Sequence, residues 1–345
     1  MGTHDMTIAF EDLRAGMKLA YGAYAVTETE IIEFATEFDP QPFHLDADAA
    51  RKSLLGGLAA SGWHTCAMVM RMQYDGFLCK TTGIGAPGID EVRWLKPVRP
   101  GMVLGVRQLV SALRVSKSRP DLGLVTLETE VHDQTGLVVM TQRHTNLFAR
   151  RDPVAPIPEP QGAALAERQP PPPEPPRLDD DAVNRSRFAA FYGDVIVGAR
   201  LSLGAYRFTR DETTRFARRY DPQPFHLDDA AAAASHFGRL SASGWHTAAV
   251  YMKLYVATRE RIHRENLEKG LAAAPNGPSP GIRNLNWYKP VFVDDVITYE
   301  TTVMGKRRAS KVGWGHVLSR VTGVNQEGVK VYESFGASMT PLRDQ

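Results

Sequence analysis

The sequence repeats itself, and that repeat bounds the architecture. Phe38-Asp39-Pro40-Gln41-Pro42-Phe43-His44-Leu45-Asp46 returns as Tyr220-Asp221-Pro222-Gln223-Pro224-Phe225-His226-Leu227-Asp228. Ala60-Ser61-Gly62-Trp63-His64-Thr65 returns as Ala242-Ser243-Gly244-Trp245-His246-Thr247. Both recur at an offset of 182, and residues 10–65 match residues 192–247 at 29 of 56 positions. A period that long is not a solenoid; it is one domain present twice. Gly88 to Val98 then matches Gly281 to Val291 at an offset of 193, so the second copy holds about eleven extra residues. They are expected between Arg259 and Pro280, where Pro275-Asn276-Gly277-Pro278 reads as a loop.

Between the copies, residues 152–178 contain ten prolines. Such a stretch favours extended polyproline conformations and acts as a semi-rigid spacer. The expected organisation is one domain over 1–151, a linker over 152–187 and a second domain over 188–345.

Each copy reads alike. Thr27 caps a short amphipathic helix from Glu28 to Phe38, with Ile31, Ile32, Phe34, Ala35 and Phe38 at helical spacing. Asp39-Pro40-Gln41-Pro42 ends it, since proline removes a donor and restricts its predecessor. A second short helix is expected over Asp46 to Ser53, with Asp46 (Asp228 in copy two) as its cap. Trp63 to Phe77 is rich in Ala, Met, Val and Cys and reads as a buried helix. Four strand-like runs follow: Ile89–Trp94, Val103–Val115, Gly123–His132 and Val138–Phe148. One buried helix followed by a meander implies an α+β fold, an antiparallel sheet wrapped around that helix.

The other bulk properties exclude more than they suggest. Lys+Arg 41 against Asp+Glu 39 gives +2, so nucleic acid is not the expected partner. No apolar run reaches the roughly 18–20 residues a membrane helix needs. No secretory signal pattern opens the chain, and Cys66 and Cys79 are too few for a disulfide framework, so a cytoplasmic location is expected. The histidines lack partners at metal-ligand spacing, so no metal is expected.

Asp39 and His44, repeated as Asp221 and His226, place a carboxylate and an imidazole five residues apart in a proline-stiffened loop. Together they could hold a water and move protons; a capped turn and a packed ring would look the same in sequence. Gly62 and Gly244 precede the buried helix, whose first amides suit a carbonyl oxygen gaining negative charge. His64 and His246, Trp63, Trp245 and Cys66 read as core. Arg93, Lys96, Arg99, Arg119, Arg283, Lys289, Arg307 and Arg308 are basic residues whose default reading is solvated surface.

The Asp-x-x-Pro-x-His-x-Asp pattern, followed eighteen residues after the His by a glycine opening a buried helix, resembles the MaoC-like dehydratases. That family includes the (R)-specific enoyl-CoA hydratases. The resemblance covers each copy and implies a double hotdog, an intrachain pseudo-dimer that can pair further into a homodimer. It implies reversible syn hydration of a trans-2-enoyl-CoA, with Asp39 and His44, or Asp221 and His226, as the catalytic pair. Gly62 and Gly244 match the glycine whose amide meets the thioester carbonyl. Gln41 and Gln223, also expected near the substrate, stand where the family usually has Asn. Met70 and Met252 stand where some members have Ser. The CoA thioester is the substrate and no cofactor is implied. A non-catalytic acyl-CoA-binding hotdog protein is an alternative. A hotdog thioesterase is another, though Met68 to Gln73 offers no carboxylate on the central helix.

Overall fold

A computed structural model of the chain describes residues 7–162, 170–187, 189–272 and 277–343. Copy one runs β1 Lys18–Ala25, α1 Glu28–Phe38, α2 Pro42–Leu45, α3 Ala47–Lys52, α4 Gly62–Gly76, β2 Gly83–Gly85, β3 Gly88–Trp94, β4 Val103–Val115, β5 Leu122–His132 and β6 Val138–Ala149. Two linker elements follow, β7 Gln161–Gly162 and α5 Asp180–Arg187. Copy two runs β8 Arg200–Arg207, α6 Arg210–Tyr220, a 3-10 turn Pro224–His226, α7 Asp229–Ala234, α8 Gly244–Glu268, β9 Gly281–Trp287, β10 Val296–Arg308, β11 Trp314–Val324 and β12 Lys330–Pro341.

The strands form one antiparallel sheet in the order β1-β4-β5-β6-β3-β9-β12-β11-β10-β8. β3 and β9 join the copies at its centre, pairing Gly88 with Asn286, Ile89 with Leu285 and Val92 with Ile282. Glycine is required at both ends of this seam. A Cβ at Gly88 would strike the Leu285 carbonyl, and one at Gly281, whose φ is +155°, would strike that of Val92. Apolar residues of α4 and α8 belong to one continuous core, in which Trp63, Met68 and Val69 join Trp245, Ala249 and Val250. The copies therefore share their interior. This is the double hotdog.

Most helix and strand expectations hold to within one or two residues. Thr27 caps α1 by accepting from the Glu30 amide, and Asp46 caps α3 by accepting from that of Ala49. Three differ. β1 and β8 escaped the sequence reading, as did the short β2 and β7 and the helix α5 inside the expected extended linker; β1 and β8 are Ala- and Gly-containing edge strands, bent where the register shifts, with little β-branched character to announce them. His44 lies on a helical turn rather than in a loop, because Pro42 at the first helical position supplies a helical φ and needs no hydrogen bond there. The extra residues of copy two lengthen a helix before they form a loop. α8 has 25 residues against 15 in α4. Pro275 and Asn276 lie outside the described residues.

Candidate active site

In both copies the motif folds into the same buried hydrogen-bond set. α1 ends at Phe38 and Asp39 caps it, which turns the carboxylate inward, 3% exposed. Gln41 Nε2 donates to Asp39 Oδ1 (2.8 Å), and Ser61 Oγ donates to Oδ2 (2.6 Å). His44 Nε2 stands 3.5 Å from the same Oδ2. In copy two, Gln223 donates to Asp221 Oδ1 (2.9 Å), Ser243 to Oδ2 (2.7 Å), and His226 Nε2 is 3.5 Å away.

The imidazole tautomer follows from its other partner. His44 Nδ1 is 2.7 Å from the Ala59 carbonyl, and His226 Nδ1 is 2.8 Å from that of Ser241. A carbonyl can only accept, so Nδ1 carries the hydrogen. In the neutral ring Nε2 then keeps its lone pair, aimed at the space beside the carboxylate.

Ser61 and Ser243 were missed as site residues in sequence. Each also caps its central helix, accepting from Trp63 N or Trp245 N (3.2 Å in both). A serine ahead of a helix-opening glycine was the available signal. The glycines themselves are fixed by packing. A Cβ at Gly62 would enter the ring of Trp94, and one at Gly244 the ring of Trp287.

The two sites differ in their surroundings. Asp221, Gln223, His226 and Gly244 all line a cavity of about 230 Å³. Its other walls come from both copies: Phe237, Trp245 and Trp287 from copy two, and from copy one Met70 and Gln73 of α4 with Gln142, His144 and Asn146 of β6. No sequence pattern announced this sharing across copies. Copy one is lined differently. Of Asp39, Gln41, His44 and Gly62, only Gln41 lines the neighbouring cavity of about 170 Å³. Tyr251 of α8 stands there, edge-on to Trp63 with ring centroids 6.1 Å apart, and also lines it. Copy one has Val69 at the matching position.

The remaining candidates scatter. His64 and His246 are fully buried in the first turn of the central helices, stacked on Phe34 (4.5 Å) and Phe216 (4.7 Å). His64 Nε2 lies 3.4 Å from Glu30, whereas neither nitrogen of His246 has a partner among the described residues. Burial opposes the charge on Glu30, but His64, Tyr24 and Arg219 override it and hold the carboxyl at about 2. Arg99 braces a loop by donating to the Leu55 and Leu58 carbonyls, and Arg119 pairs with Asp121. Arg93, Arg283 and Arg307 line a separate cleft. Lys289 is the basic residue at the Asp221 cavity. Among the described residues no helix is long and apolar enough to cross a membrane, and no three His, Cys, Asp or Glu side chains cluster as metal ligands.

Comparison with known proteins places the chain in a family. A mesaconyl-CoA hydratase of Haloarcula marismortui is 42% identical over 69 residues, which is 20% of this chain and 19% of that protein. The match thus spans about a fifth of that relative's length. YdeM of Bacillus subtilis, an uncharacterized protein, is 28% identical over 125 residues, 36% of this chain and 87% of that one. The structure of a putative MaoC domain dehydratase from Chloroflexus aurantiacus superposes over all of both chains with a TM-score of 0.77 at 18% identity. A Mycobacterium tuberculosis protein with a double hotdog fold covers 96% of this chain and 98% of its own, with a TM-score of 0.67 at 18% identity. The MaoC-like domain family matches residues 13–132 and again 197–325, so the chain belongs to the MaoC-like family, with the domain present twice.

Proposed function

We propose that the protein is an acyl-CoA hydratase/dehydratase that adds water reversibly across a trans-2-enoyl-CoA to give the (R)-3-hydroxyacyl-CoA, and that it works at Asp221 and His226. The observation that carries this is the cavity in which Asp221, Gln223, His226 and Gly244 meet.

The hydrogen bonds define the roles. Gln223 and Ser243 hold both carboxylate oxygens of Asp221, and the Ser241 carbonyl fixes the His226 ring. A water donating one hydrogen to Asp221 Oδ2 and the other to His226 Nε2 keeps an oxygen lone pair free to attack C3 of the enoyl group. One member of the pair takes its proton as the C–O bond forms. Charge then moves to the thioester oxygen. The Gly244 N–H suits it, since the first amides of a helix have no intrahelical partner. Protonation at C2 comes from the same pair, hence from the same face, which makes the addition syn. Exposed Lys289 at the cavity offers a charge for a CoA phosphate.

The thioesterase alternative loses support at the central helices. Asp75 near the end of α4 is tied to Arg71 (2.6 Å) rather than placed in the cavity. The test is to mix the protein with crotonyl-CoA and longer trans-2-enoyl-CoAs and follow loss of the conjugated absorbance. Formation of (R)-3-hydroxyacyl-CoA is expected. Free thiol release would point to a thioesterase, and binding without turnover to a carrier.

A further inference from the structure

The copy-one wall of the Asp221 cavity is more polar than an acyl pocket requires. Gln142, His144 and Asn146 alternate along β6, so they share the face of the sheet that lines the cavity. They are 3%, 2% and 5% exposed. Aligning β6 with β12 shows what copy two carries instead: Ser334, Gly336 and Ser338. The two chambers have diverged here while both Asp-His pairs were kept.

The hydrogen-bond balance of this wall is incomplete. Gln142 Nε2 lies 3.1 Å from His144 Nδ1. An amide nitrogen only donates, so Nδ1 accepts and the hydrogen of the neutral ring sits on Nε2. Burial pushes His144 down to about 4, so the ring is neutral at neutral pH. Gln142 Oε1 has no partner among the described residues, although it is buried. The wall therefore presents an N–H donor from His144 and a free acceptor from Gln142, with the Asn146 amide beside them.

That set does not suit a plain alkyl chain, which would leave every one of these groups unpaired. Nor does it suit a carboxylate, which only accepts, would face the amide oxygen of Gln142, and would find no cation among these three residues. Each mismatch carries the cost of a buried polar group without its partner. A hydroxyl both donates and accepts. β6 lies two strands from β9, whose Trp287 packs on Gly244, so this wall is about 10 Å across the sheet from the helix start.

We propose that the acyl chain of the substrate carries a neutral hydroxyl group remote from the double bond, recognised by His144, Gln142 and Asn146. This rests on the reading of Asp221 and His226 as the working pair. The test compares trans-2-octenoyl-CoA, its 6-, 7- and 8-hydroxy derivatives, and trans-2-octenedioyl-CoA as hydration substrates. At least one hydroxylated chain should exceed the plain chain in kcat/KM by roughly tenfold or more, because a site built for a hydroxyl rejects its absence strongly. The dicarboxylate should fall below both. In Gln142→Met/His144→Leu, which keeps volume, the ratio of hydroxylated to plain chain should collapse toward one.

Binding of octanoyl-CoA and its hydroxy derivatives, read by calorimetry, separates this inference from the one beneath it. No hydration of any substrate, with tighter binding of a hydroxylated chain, would overturn the Asp221 chemistry and support the hydroxyl site. Hydration with equal use of plain and hydroxylated chains, or best use of the dicarboxylate, would overturn the hydroxyl site alone. So would a preference that survives in the double variant.

Discussion

The two copies hold one Asp-His motif in two settings. Asp39 and Asp221 accept the same two hydrogen bonds, and each lies 3.5 Å from its histidine. What separates them stands in front. Asp221 and His226 open onto a cavity walled by α4 and β6 of copy one. Asp39 and His44 line neither that cavity nor either of the two beside Gln41, in the smaller of which Tyr251 and Trp63 stand. A kept motif thus does not fix by itself what faces it. The local hydrogen bonds belong to one copy, whereas part of the cavity wall belongs to the other.

The largest effect expected from this difference is on turnover. Asp221→Asn should lower kcat for enoyl-CoA hydration by about 10²–10⁴, the range for losing a general acid–base group. Asp39→Asn should leave kcat within about threefold, with its cost appearing as lost stability, since the Ser61 and Gln41 donors lose a charged acceptor. Equal losses of activity would break the comparison. Stoichiometry gives an independent reading. Titration of a saturated acyl-CoA into the chain should give one site per chain, and two equal sites would mean that Tyr251 does not close copy one.

The capping serines sharpen the comparison with a smaller effect. Ser61→Ala and Ser243→Ala each remove a helix cap, so each should cost about 1 kcal/mol in urea unfolding. Only Ser243→Ala should also reduce kcat, by roughly tenfold, because it releases Oδ2 of Asp221. A matching drop for Ser61→Ala would return copy one to the chemistry.

Much of this molecule was legible in its residues because the signals were local. Thr27 and Asp46 are caps, prolines end α1, and the alternation of β4 to β6 marks a sheet. The Asp, His and Gly positions emerged from one repeated motif. Other features are set by tertiary context. β1 and β8 are held by pairing with β4 and β10, so their own composition says little. The surroundings of the two sites differ in a Tyr for Val exchange on α8, visible in sequence but without meaning until that helix is placed against the other copy. The polar wall of β6 lies some eighty residues before Asp221 and touches its cavity only because β3 and β9 pair.

The buried histidines carry the comparison into stability. His64 and His246 occupy equivalent places, but only His64 has a carboxylate beside it. Burial drives the His246 pKa down to about 3, with the charges of Arg215 and Lys253 adding to it. An unfolded histidine titrates near 6.5, so as pH falls the unfolded chain takes the proton first. The stability from keeping His246 neutral is therefore complete above pH 6.5 and is lost as pH drops from 6.5 toward 3, at up to about 1.4 kcal/mol per unit. His144 adds the same sign between 6.5 and about 4. Urea midpoints at pH 7.0, 6.0 and 5.0 should fall progressively. Above pH 5 Glu30 stays silent, because a carboxyl held at about 2 loses its contribution only below its ordinary value near 4.5. His246→Phe, which keeps the stack on Phe216, should flatten the slope and leave the parts of His144 and of His64, His236 and His316, which burial also pushes down. An unchanged slope in that variant would mean that the second copy's histidine takes up its proton in the folded chain as readily as in the unfolded one.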